Sequence, residues 1–303
     1  MELRVYHQSW RESLTVVLRK GNKSDYGVAK AYRPIGLLNT LGKGFDTLIS
    51  RYVSYLCEKH NLLPPSQFGG RPGRNTSDAM LLITSRIKDA WRKGNVAAGL
   101  FLDVQGAFPN MVKDMLIHHM KLCHIPESLV SIAILMLTNR FTRLCFDDYI
   151  SDRMPIDNRT TQGHPASMGF YSIFNAPLMM VARLKDKLSP GFIDNSMMLA
   201  TGPTLSDCHG KLKDMMERPD GGFDWSISHN SPFEMSKVAL MNWSRTYRDV
   251  IPSDLVLDRP NGDSTTTPNT IKTVSSYKYL GVMFNPSLCW TLQHAKVTAN
   301  ATF

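Results

Sequence analysis

An unbroken apolar run, Val96 to Leu102, ends abruptly in Asp103. Its length and its lack of polar alternation predict a strand buried on both faces, which needs a sheet covered on each side. The last residue of such a strand is held rigidly, so Asp103 is a carboxylate with a fixed position. A second carboxylate follows in Gly191 to Leu199, where two short apolar stretches flank Asp194-Asn195. That pattern predicts a tight β-hairpin with the polar pair at its turn. Two carboxylates on strand ends can hold hard cations such as Mg²⁺, which take oxygen ligands. On the residues alone, an aspartate at a strand end is more often a turn or capping residue.

Around these points helices and strands alternate without the regular rhythm of a parallel βαβ sheet, which predicts an α+β fold. Phe45, Leu48, Ile49, Tyr52, Val53 and Leu56 recur at helical spacing within Leu41 to Leu63, and Pro64-Pro65 stops the pattern. Met80, Ile83, Ile87 and Trp91 mark a second amphipathic helix, ending near Gly94. Pro126 opens another, through Leu137. Ser167 to Leu188 reads as one long apolar helix and Leu205 to Arg218 as a further one. Thr142 to Phe146, Val238 to Met241 and Tyr279 to Phe284 read as strands, with a loop-rich tract between the last two.

Lys plus Arg number 35 against 26 Asp plus Glu, a formal charge of +9 over 303 residues. That surplus suits a polyanionic partner, nucleic acid before membrane surface. No apolar stretch reaches the ~18 residues of a membrane span, and Met1 to Val17 lacks the apolar core of a signal peptide. The five cysteines have no zinc spacing and read as buried free thiols in a reducing compartment, inside the cell, in cytoplasm or nucleus.

Several further motifs share one source of resemblance. Tyr32-Arg33-Pro34-Ile35-Gly36-Leu37-Leu38-Asn39, Gln67 to Ala79, Phe101-Leu102-Asp103-Val104-Gln105-Gly106-Ala107-Phe108, Gln162-Gly163-His164-Pro165, Phe192-Ile193-Asp194-Asn195, Asn230 to Lys237 and Tyr279-Leu280-Gly281-Val282 stand in that order. Together they resemble the reverse transcriptases of non-LTR, LINE-type retrotransposons, most closely the fungal kind. Each motif alone is weak; the ordered set is specific. The resemblance implies a right-hand polymerase fold with fingers and N-terminal part over residues 1–95, palm and metal site over 96–245, and the end of the palm with a truncated thumb over 246–303. It also implies an RNA-directed DNA polymerase that adds deoxynucleotides to a DNA primer 3′-hydroxyl on an RNA template, using two Mg²⁺ ions, with Mn²⁺ as a substitute.

Carried over by position, the resemblance gives Asp103 and Asp194 as catalytic metal ligands, with the Val104 carbonyl completing one shell, and Lys237 as general acid toward departing pyrophosphate. Arg71 would hold the triphosphate, the alternative being a solvated loop arginine. Arg33 would touch template or triphosphate, or form a salt bridge in the fingers. Phe108 would exclude a ribose 2′-hydroxyl, or serve core packing. Gln162 and Gly163 would line the nucleotide pocket, or form a plain turn into a helix. Tyr279, Leu280 and Gly281 would grip the primer, or be simply a strand and its exit.

Departures from the family pattern carry their own expectation. Asn195 stands where a second hairpin aspartate is usual, Pro109 replaces aspartate, His164 replaces serine, and Ala166-Ser167-Met168 replaces Leu-Ser-Pro. Gly21 replaces proline, and the stretch before Gly191 is short. These changes predict a weakened metal site and a copy released from selection. The rival from another class is therefore a catalytically inactive remnant that binds RNA or RNA–DNA hybrid. A metal nuclease built on Asp103 and Asp194 accounts for the carboxylates but not for Arg71, Phe108 or the motif order.

Overall fold

The structure, a computed structural model, describes residues 6–21, 24–156, 163–245, 254–258 and 269–301. The chain forms two compact units, Met1–Leu63 with Gly106–Phe174 and Pro64–Gln105 with Asn175–Phe303. Elements are numbered in chain order.

In the first unit, β1 (Glu12–Arg19) lies between β2 (Tyr32–Leu38) and β4 (Arg140–Phe146). The first pair is antiparallel, with Val16 opposite Ile35, and the second parallel, with Thr15 opposite Leu144. β5 (Tyr149–Ile150) and β6 (Met154–Ile156) both pair with β4. Three helices, α1 (Thr40–Lys59), α3 (Lys113–Leu122) and α4 (Glu127–Leu137), also belong to this unit. α1 starts where the Asn39 side chain accepts the N–H groups of Leu41 and Gly42. It buries Gly42, Asp46, Ile49, Val53 and Cys57, whereas Leu48 and Tyr52, expected on its apolar stripe, are exposed. The stripe is rotated because Gly42 sits against Trp10, whose Cγ would be 2.8 Å from any added Cβ, and because a polar residue, Asp46, occupies its centre.

The second unit is built on the predicted strand. β3 (Val96–Asp103) is buried throughout except at Asp103, which is half-buried. It runs between β10 (Ala239–Trp243) and β9 (Asn195–Gly202), antiparallel to both, and β7 (Lys187–Leu188) and β8 (Gly191–Phe192) extend the sheet from β9. α2 (Thr76–Arg92) opens with a reciprocal capping box between Asn75 and Asp78. Its Met80, Ile83 and Ile87 join Phe101, Met197, Leu199, Met241, Trp243, Tyr279 and Phe284 in one core. The opposite face carries α6 (Leu205–Glu217) and α7 (Gly222–Ser228), where Met198 and Met216 meet over Gly222.

Four expectations are corrected. The long apolar helix is α5, only Ser167–Met179. Pro177 withholds a backbone donor near its end, and the chain then turns through a charged segment into β7. The strand expected over Tyr279 to Phe284 is a hairpin, β13 (Tyr277–Tyr279) and β14 (Val282–Phe284), turning at Leu280 and Gly281, both with positive φ. Of the cysteines only Cys57 and Cys208 are buried; Cys123 and Cys145 are half-buried and Cys289 is exposed. The turn between β8 and β9 falls one residue early, as described below. Part of the expected loop tract lies outside the described residues; within the rest β11 (Leu255–Leu257) pairs with β12 (Asn269–Ile271). The last helix is α8 (Thr291–Ala301). Among the described residues no helix is long and apolar enough to cross a membrane.

Candidate active centre

Asp103 closes β3, and the cross-strand register pairs it with Asn195, the first residue of β9. Because Phe192 also pairs with Asn195, the turn consists of Ile193 and Asp194 rather than Asp194 and Asn195. The Val104 N–H then donates to the Asp194 carbonyl at 3.2 Å. These contacts put Asp103, at a strand end, and Asp194, in the turn that leads into the neighbouring strand, at the same end of the sheet.

The segment ahead of β10 passes along this end. Gln105 N–H donates to the Pro232 carbonyl at 2.8 Å, and Glu234 N–H to the Asp103 carbonyl at 2.9 Å. A single 3₁₀ turn, Met235–Lys237, follows. It delivers the Lys237 ammonium to Asp103 Oδ2 at 2.5 Å, and that hydrogen bond raises the lysine pKa above its ordinary value. The Asp194 pKa is raised as well, which for a carboxyl favours the neutral form. Burial is the largest cause and the charge of Asp103 adds to the rise, against a backbone hydrogen bond first, then a hydrogen bond of 2.9 Å from Asn195 Nδ2 to its Oδ1 and the pull of Lys237.

Hard oxygen donors of two acids, with an amide beside them, suit a divalent cation, and a carboxyl raised by burial and like charge is one that a cation would help to ionise. The donor set therefore fits such a metal. It is one acid poorer than a triad, since among the described residues no group of three or more His, Cys, Asp or Glu could hold an ion.

The other predicted residues fall as follows. Arg71, in the same unit, is buried and donates Nη1 to the carbonyls of Pro64 at 2.8 Å and Gln67 at 3.2 Å, so it is not a solvated loop arginine. Tyr279 is buried with its hydroxyl 3.4 Å from the Asn195 carbonyl, leaving Leu280 and Gly281 to form the turn. In the first unit Arg33 is exposed on β2, and Phe108 is half-buried with its ring centroid 5.5 Å from that of Tyr171. Gly163 has φ +102°, and a Cβ there would come within 2.8 Å of the Gly36 carbonyl. Gln162 lies outside the described residues.

Residues 18–284 match the family model for reverse transcriptase (RNA-dependent DNA polymerase). The chain belongs to the reverse transcriptase family. Over 297 residues it is 23% identical to the RNA-directed DNA polymerase from mobile element jockey of Drosophila melanogaster, covering 96% of this chain and 31% of that protein. The Drosophila funebris counterpart is 26% identical over 300 residues, covering 93% and 30%. This reverse transcriptase chain thus spans about a third of the length of these curated relatives. Both relatives are polymerases of mobile elements.

Apo telomerase from Candida tropicalis superposes with a TM-score of 0.61 at 9% identity, covering 95% of this chain and 50% of that one. The telomerase of the same species in complex with a fragment of telomeric RNA gives 0.58 at 10%, covering 81% and 42%. At such identity the likeness speaks for the fold alone, the right-hand polymerase fold expected from the motifs.

Two features of this reverse transcriptase escaped the sequence reading. His164 is buried, with Nε2 3.1 Å from Asp46 Oδ2, so the residue that replaces serine is matched by a partner on α1. Asn175, buried among the apolar residues of α5, donates Nδ2 to the Ile193 carbonyl at 3.0 Å. A lone amide within an apolar helix was the available signal for the second. The first left none, because the pairing joins positions more than a hundred residues apart.

Proposed function

We propose that the chain is the polymerase part of a retrotransposon reverse transcriptase, adding deoxynucleotides to a DNA primer on an RNA template. The observation that carries this reading is the meeting of Asp103, Asp194 and Lys237 at one end of the β3–β9 ladder. Asp103 and Asp194, with the Val104 carbonyl, would hold two divalent ions, Mg²⁺ with Mn²⁺ as substitute. The chemistry they would supply there is activation of the primer hydroxyl as a nucleophile and neutralisation of charge on the departing pyrophosphate.

The chain's own residues do the rest. Lys237, already protonated against Asp103, gives a proton to the pyrophosphate oxygen. Arg71 binds the triphosphate by exchanging its loop carbonyls for phosphate oxygens, and Arg33 contributes on template or triphosphate. Phe108 lies under the sugar, Gln162 and Gly163 line the nucleotide pocket, and the Tyr279–Gly281 turn holds the primer end. Residues 1–95 serve as fingers, 96–245 as palm and 246–303 as the end of the palm and start of the thumb. The work is positioning and electrostatics, done inside the cell in cytoplasm or nucleus. The +9 charge supports nucleic acid as partner.

Asn195 favours a second reading, a remnant that binds RNA or RNA–DNA hybrid without copying it. Its amide keeps the shape of an aspartate and removes a negative charge from the metal site. Metal stabilisation is worth several kcal/mol. Losing roughly 3–5 kcal/mol of it slows the reaction by about two to four decades. Primer extension on a homopolymer template with Mg²⁺ or Mn²⁺ tests both readings. We expect feeble extension by the natural protein and at least a tenfold gain (~1.4 kcal/mol) in Asn195→Asp. If neither protein extends a primer while both are folded and bind RNA, the remnant stands.

A further inference from the structure

The turn that carries Asp194 holds a conformation its own residues do not favour. Of its two central residues only Ile193 has positive φ, at +58°. Positive φ at the first position alone is the mark of a II′ turn, a place taken by glycine. For a β-branched residue it is an outlier. The conformation must therefore be imposed from outside the turn.

Three neighbours in the same unit impose it. The backbone at Gly69 lies so close that a Cβ there would be 2.5 Å from the Ile193 nitrogen. Gly191, at the base of the hairpin, accepts from Phe68 N–H at 2.9 Å and donates to the Ser66 carbonyl at 3.1 Å. The third is Asn175 on α5, 1% exposed, whose Nδ2 donates to the Ile193 carbonyl at 3.0 Å. Its Oδ1 has no partner, so the single bond to the turn is what a buried amide achieves there.

That carbonyl belongs to the central peptide of the turn, joining Ile193 to Asp194. Turn types that share the sign of φ at the first central residue differ by a flip of this peptide, which reverses φ at the second. A flip here would give Asp194 a positive φ and carry its carboxylate away from Asp103. We infer that Asn175 is a positioning residue for Asp194: by holding the Ile193 carbonyl it fixes the central peptide and so the direction of the carboxylate. The inference deepens the polymerase reading and rests on it.

The test uses Mn²⁺ as the probe, its affinity read by electron paramagnetic resonance, with thermal melting as the check on folding. Asn175→Leu keeps the bulk and removes the donor; it should weaken Mn²⁺ binding at least fivefold. Ile193→Gly makes the turn conformation intrinsic, so adding Asn175→Leu to it should change affinity less than twofold. A merely structural amide would give the same loss in both backgrounds, and equal losses overturn the inference. So does unchanged Mn²⁺ affinity in Asn175→Leu. Should that variant fail to fold, Asn175→Ser, whose hydroxyl is too short to span the gap, carries the same expectations. In the Asn195→Asp background Asn175→Leu should lower kcat for extension while leaving KM for nucleotide within twofold. If neither the natural protein nor Asn195→Asp binds Mn²⁺, the metal reading of the site itself fails, an outcome distinct from a parent that binds and a variant that is indifferent.

Discussion

The Tyr6 hydroxyl, buried in the first unit, lies 2.8 and 3.1 Å from the two oxygens of Asp46, which also meets His164 Nε2. The Ala166 N–H donates to His164 Nδ1 at 3.1 Å, so the ring proton sits on Nε2 and the imidazole is neutral. Burial is the largest cause holding the His164 pKa below its ordinary 6.5; Asp46 opposes it and the buried Arg140 reinforces it. The sign follows from proton counting. The unfolded chain takes up the proton near pH 6.5 and the folded one only at lower pH, so stability falls as pH drops through that window. One such proton is worth up to about 1.4 kcal/mol per pH unit. His164→Gln should therefore be less stable at pH 7 yet lose less between pH 7 and 5.5, read by denaturant titration at both. His119, also lowered by burial, keeps some acid sensitivity in either protein. An undiminished slope would mean that His164 is charged in the fold. Phe108 allows a second test at this scale. Phe108→Ala should raise ribonucleotide over deoxyribonucleotide incorporation if the ring guards the sugar. An unchanged ratio with a lower melting temperature would assign it to packing against Tyr171.

Among elements, β3 is the one that positions Asp103, and Gly99 at its centre is close-packed on the α2 face. A Cβ there would strike Met197 Cε from β9 and lie 2.7 Å from the Trp243 ring of β10. The methionine can yield and the ring cannot, so Gly99→Ala should cost about 1–3 kcal/mol, seen as a lower thermal midpoint. A midpoint equal to the parent's would show that the sheet adjusts. The same strand was the element most legible beforehand, because a continuous apolar run ending in a charge fits few other structures. α2 was legible for a related reason: its buried stripe holds apolar residues at helical spacing. α1 was harder, since its true inner face includes Gly42 and Asp46 while leucine and tyrosine face outward. Hydrophobicity alone assigns such a face wrongly. The β8–β9 hairpin was legible as a hairpin but displaced by one residue, because turn propensity favours Asp-Asn while Phe192 fixes the register. Its holding by Gly69 and Asn175 comes from contacts distant in sequence, which no local pattern carries.

At the scale of the whole molecule the +9 charge sets the expected behaviour toward nucleic acid. Binding to RNA and to RNA–DNA hybrid should weaken on the order of a hundredfold between ~50 and ~200 mM salt, as displacement of about four counterions implies. An affinity indifferent to salt, measured by fluorescence anisotropy, would remove electrostatics as the source of binding. The two units also have an unusual bearing on birth at the ribosome. The chain leaves the first unit after Leu63, returns at Gly106 and leaves again after Phe174. Domains ordinarily fold as they are made, amino end first. Here a nascent chain paused after Gln105 holds the opening part of each unit and the whole of neither. Translation must run through Phe174 before the first unit can close, and β1 and β2 wait without β4 until Phe146 has been added. Any stop codon or frameshift upstream of Phe174 thus spoils both units at once.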